Sequence, residues 1–100
     1  MRARILFIIT ADPRTSPRPA EAVRTAAGIA AWQQVEVSVY FRGPAALALG
    51  EDAEFLADGD QFLHCLPILR EAGARLLSGD DSDAPALAAL AAEHTTVARF

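Results

Sequence analysis

The chain reads as one α/β domain spanning residues 1–100, with a four- to five-stranded, mainly parallel sheet and helices on both faces. Three observations predict this. Short apolar or alternating runs recur at Ala3–Thr10, Val35–Phe41, Ala74–Ser78 and Thr95–Phe100. Helix-patterned segments lie between them, and strands separated by helices pair in parallel through right-handed crossovers. One hundred residues give one modest core and no second domain.

The first run, ARILFIIT, is continuously apolar and rich in β-branched residues. That is the pattern of a strand covered on both faces. ADPRTSPRP follows as a loop with three prolines. Ser16 can accept from free backbone N–H groups there, and Pro17 suits a first helical turn. The helix extends to about Ala31. Its Val23, Ala26, Ala27 and Ala30 form a narrow face of small residues able to sit close to a sheet.

In VEVSVYF, valines and Phe41 alternate with Glu36, Ser38 and Tyr40. Strict alternation predicts one drier and one wetter face, as at a sheet edge. PAALAL reads as a short helical turn, and GEDAEFLADGD as an acidic surface connector. Asp60 caps the next helix, DQFLHCLPILREAG, and Gly73 ends it. Pro67 inside that helix predicts a kink or restart near Leu66, because proline has no N–H for the carbonyl of Leu63. GDDSD is a polar turn, with Asp83 as the cap of the last helix, APALAALAAEH; Pro85 is tolerated in its first turn.

Composition narrows the function classes. Hydrophobic residues make up 52% and charged residues 22%, a globular balance. All nine basic residues are arginine and alanine occurs 22 times, which fits a GC-rich bacterial coding sequence. Residues 1–50 carry +3 and residues 51–100 carry −7. An acidic chain without a basic stripe is a poor nucleic-acid binder. Oppositely charged halves suit self-association or a charged protein partner. A single cysteine excludes an internal disulfide and a multi-cysteine zinc site. The apolar stretch Ile5–Ile9 is too short for a signal-peptide core, and no segment has the length of a membrane span. The expectation is a cytoplasmic protein.

Ligands of open parallel sheets bind beyond the carboxyl ends of the strands. Those ends offer Asp12, Arg14 and Ser16, then Arg42 and Gly43, then Ser78 and Asp80 as ligand-binding candidates. ADPRTSPR could hold an anion at a helix start, or simply cap that helix. It lacks the glycines of a nucleotide cradle, and no cofactor is expected. The carboxylates of GDDSD suit a turn and a cap better than a metal ion, so no metal site is expected. His64 and His94 have no metal-pair or dyad spacing, and His94 suits the end of the last helix as a cation.

Cys65 is the one candidate thiol. Phe62, Cys65, Leu66 and Leu69 share one apolar stripe, which predicts a buried, unreactive sulfur. A kink at Pro67 is the feature that could instead expose it.

Taken in order, RILFIIT, VEVSVYFRGPAALAL, FLHCLPILREAGARLLS and LAALAAEHTTVARF resemble the DsrE/DsrF-like superfamily, and within it the DsrF (TusC) branch. The likeness spans nearly the whole chain and rests on order and spacing. It implies a three-layer, flavodoxin-related α/β fold, homo- or hetero-oligomers, and work in sulfur relay or sulfur oxidation. Carrier members of the family bear a cysteine just after the strand that here reads ARLLS. This chain has Ser78, Gly79 or Asp80 there, and Arg42-Gly43-Pro44 replaces the usual DGV turn. The resemblance therefore implies a non-catalytic accessory or interaction subunit, alone or beside a cysteine-bearing relative. Two alternatives stand next to it: a persulfide carrier using Cys65, and a small-anion module using Arg14 and Arg42.

Overall fold

A computed structural model describes residues 3–80 and 84–100. Four strands, β1 (Ala3–Ile9), β2 (Val35–Arg42), β3 (Arg75–Gly79) and β4 (Thr96–Arg99), form one sheet in the order β3-β2-β1-β4. Every neighbouring pair is parallel. Three helices, α1 (Arg18–Trp32), α2 (Asp60–Glu71) and α3 (Ala84–Ala92), connect them. Two 3-10 segments, Gly43–Leu49 and Ala53–Phe55, precede α2.

The strand order fixes the layers. From β1 to β2 to β3 the chain steps one way across the sheet; from β3 to β4 it returns past β1. Right-handed crossovers then place α1 and α2 on one face and α3 on the other. The two packed clusters follow that division. Phe7, Ile9, Val37, Val39 and Phe41 meet the small-residue face of α1 (Ala22, Val23, Ala26, Ala27, Ala30) and Phe62, Cys65 and Leu69 of α2. Leu6, Ile8 and Tyr40 meet Leu87, Leu90 and Ala91 of α3.

The continuously apolar first run is thus an interior strand with both faces covered. The wetter face expected for the second strand is corrected. β2 is not an edge but lies between β1 and β3, and its Ser38 and Tyr40 are buried. Alternation marks two chemically different faces; it does not say whether a later helix roofs the second one.

Other boundaries differ in instructive ways. Asp60 is the first residue of α2 and Gly59 its cap, with no side-chain cap bond. α2 runs without interruption through Pro67, so no restart occurs at Leu66. Pro67 sits on the exposed side, where water can serve the carbonyl it leaves unbonded. The acidic connector is partly structured, with Ala53 and Gly59 buried. The Ala57 N–H donates to the Pro13 carbonyl at 2.9 Å, tying it to the Pro-rich loop. That loop is itself packed, with Pro13 and Pro19 fully buried. Gly73 (φ +82°) turns the chain from α2 into β3, a backbone conformation that glycine adopts without strain. No described helix is long and apolar enough to cross a membrane.

Candidate functional site

At the carboxyl ends of the strands the candidate residues form two groups. Asp12, Arg14 and Ser16 make one tight turn beyond β1. The Asp12 carbonyl accepts the N–H groups of Thr15 (3.2 Å) and Ser16 (3.0 Å). Its carboxylate accepts the Arg14 backbone N–H at 2.9 Å, Nε at 3.0 Å and a terminal guanidinium N–H at 2.8 Å. The Arg14 bonds hold the Asp12 carboxyl below the usual carboxylate range. The Ser16 hydroxyl accepts the Arg18 N–H at 3.2 Å. Arg14 therefore spends its fork on its own loop.

The second group lies at the ends of β2 and β3. Ser78 stands opposite Phe41, and Arg42 opposite Gly79. Gly43 has φ +59°, a left-handed turn into the first 3-10 segment. Ser78 and Asp80 are exposed, and Arg42 is half-buried. Asp81 and Asp83 of the GDDSD turn lie outside the described residues. Among the described residues, no group of three or more His, Cys, Asp or Glu could hold a metal ion.

The strand order of this sheet reverses between β1 and β4: the connection leaving β1 crosses one face, and the connection entering β4 comes over the other. That crevice is filled from within. The Phe100 carbonyl accepts the Thr10 N–H at 2.9 Å. Its ring stacks on Phe7, centroids 6.0 Å apart, and lies 5.7 Å beneath the Arg18 guanidinium.

Cys65 is 4% exposed in the core between α1, α2 and the sheet. Its Sγ–H points to Gln61 Oε1 at 3.8 Å, within its own helix. Burial pushes its pKa up, with Arg24 a weaker opposing influence. Such a thiol is protonated and inert at neutral pH. His64 is exposed on the other side of α2.

The structure adds residues that sequence reasoning did not bring together. His94, just past α3, reaches over β1 to Ser38 of β2. Its Nδ1 is 2.8 Å from the Leu90 carbonyl and its Nε2 is 3.0 Å from the Ser38 hydroxyl. A carbonyl only accepts, so Nδ1 carries the proton; in the neutral ring the Ser38 O–H donates to Nε2. A hydroxyl at the centre of a valine-rich strand was the available signal. The 56-residue separation hid its partner.

Cavities lie at two places. One, about 410 Å³, opens at the amino ends of β2 and β3 and is lined by Arg4, Gln33, Glu36, Ser38, Gly73 and Arg75 among others. The other, about 200 Å³, is a groove of mixed polarity between the two 3-10 segments and α2. Comparison with protein-family models, with curated proteins and with solved structures finds no match to this chain.

Proposed function

We propose that the chain is a non-catalytic assembly subunit of a cytoplasmic sulfur-relay or sulfur-oxidation system, as its resemblance to DsrE/DsrF-like proteins implies. The observation that carries the reading is α3. Its sequence, APALAALAA, is apolar on every side, yet Leu87 is the one buried residue described in it. A helix without a polar face belongs inside a protein or an assembly. Topology leaves it alone on its face of the sheet, beside half-exposed Leu77 and Val97. A second copy of this chain laid on that face would cover the helix, and the opposite charges of the two halves of the sequence favour such pairing.

The sulfur-carrier alternative draws no support from Cys65, which is buried and protonated. The small-anion alternative is weakened at Arg14, whose fork is occupied by Asp12. The test is incubation with a sulfur donor followed by intact-mass measurement of the native chain. The expected result is no +32 Da species. A +32 Da adduct that disappears in Cys65→Ala would replace the accessory reading with the carrier one.

A further inference from the structure

The 410 Å³ cavity arises from a mismatch in strand length. β2 pairs with β1 from Val35 onward but with β3 only from Ser38. Along Val35–Val37 the β3 side of β2 faces a notch, which the chain skirts through Ala72, Gly73 and Ala74. The C-terminal ends of α1 and α2, represented by Ala30, Gln33 and Ala72, form one wall. Arg4, Glu36, Ser38 and Arg75 form the other.

The charges of these walls are divided. Helix C-termini present carbonyls with partial negative charge, and Glu36 adds a full one. Arg75 supplies an opposing guanidinium that is loosely held, 3.9 Å from Glu93 and beyond hydrogen-bond length. Arg4 lies 3.1 Å from Glu36, but its buried Nε–H is not aligned as a hydrogen bond to any partner. Its terminal N–H donates to the Glu93 carbonyl at 3.0 Å. Ser38, its proton directed to His94, turns acceptor lone pairs to the cavity. A plain anion would meet the helix ends unfavourably, and a plain cation would meet Arg75.

We propose that this cavity binds a free α-amino acid, with its carboxylate on Arg75 and its ammonium against Glu36. Arg75 stands level with Ser38, and Glu36 lies two residues along the same strand face. Arg75 and Glu36 are thus diagonal neighbours on one sheet face, and their long side chains can reach the two opposite charges of one small zwitterion. The volume falls in the range of small-molecule sites.

The experiment is a calorimetric titration of the full chain with L-alanine and other α-amino acids, against propionate, ethylamine and 4-aminobutyrate. Saturable binding of one or more α-amino acids, at least tenfold tighter than propionate and ethylamine, which each lack one of the two charges, is expected; 4-aminobutyrate shows whether the spacing of the charges matters as well. Arg75→Met and Glu36→Gln should each weaken it tenfold or more while the circular dichroism spectrum stays that of the wild type. The proposal is overturned if no α-amino acid binds, if propionate binds as well as alanine, or if both folded variants bind like the wild type.

Discussion

Cys65 and Ser38 carry opposite lessons about single residues. Helical spacing put Cys65 on the apolar stripe of α2, and there it lies, with Phe62, Leu66 and Leu69. Its thiol pKa is raised by burial, so the stability it contributes is full below the ordinary thiol value and lost as pH rises through the folded value. A thiol reagent at neutral pH should label the native chain slowly and the unfolded chain fast; equally fast labelling of both would contradict the burial. Ser38 was legible only as a polar residue in a strand. Its meaning comes from His94, which no local pattern connects to it. Removing the hydroxyl in Ser38→Ala takes its partner from a half-buried His94 nitrogen, at a cost of about 0.5–1.5 kcal/mol. In a double-mutant cycle with His94→Ala, the two changes should cost less together than their sum, by about 1 kcal/mol in denaturant titrations. Strict additivity would mean the bond contributes nothing.

Among the elements, those whose burial is decided by their own periodicity were readable. The small-residue face of α1 is buried as a unit, and the uninterrupted apolar run of β1 is a central strand. The misreadings concern elements defined by something distant in sequence. β2 looked like an edge because its second cover, α3, follows it by more than forty residues. The acidic connector looked like plain loop because its charges conceal Ala53 and Gly59, which pack inward. Two glycines separate space from conformation. Gly28 is exposed within α1, and a methyl group there meets nothing within 4 Å. Gly28→Ala should raise stability by about 0.5–1 kcal/mol. At Gly59 the same methyl would run into the backbone carbonyls of Ala53 and Glu54. Gly59→Ala should lower stability by about 1–3 kcal/mol. Thermal or urea unfolding of the two variants checks both signs, and a stabilising Gly59→Ala would refute the packing of the connector.

For the whole molecule, the fold class was legible because strand–helix alternation and the handedness rule admit few arrangements. The location of the larger described cavity was not. The rule that sends ligands to carboxyl strand ends led to Asp12, Arg14 and Ser78, whereas the switch-point crevice is filled by Phe100 and the larger described cavity opens at the amino ends. Strand length set that outcome: β3 begins three residues later on β2 than β1 does, and sequence patterns fix element ends least well. The same topology isolates α3 on one face and makes assembly the central claim. Static light scattering of the purified chain tests it most directly, with Ala88→Glu on the exposed side of α3 measured in parallel. A dimer or larger species is expected for the wild type and a folded monomer for the variant. A wild-type chain that remains strictly monomeric at high concentration would contradict it.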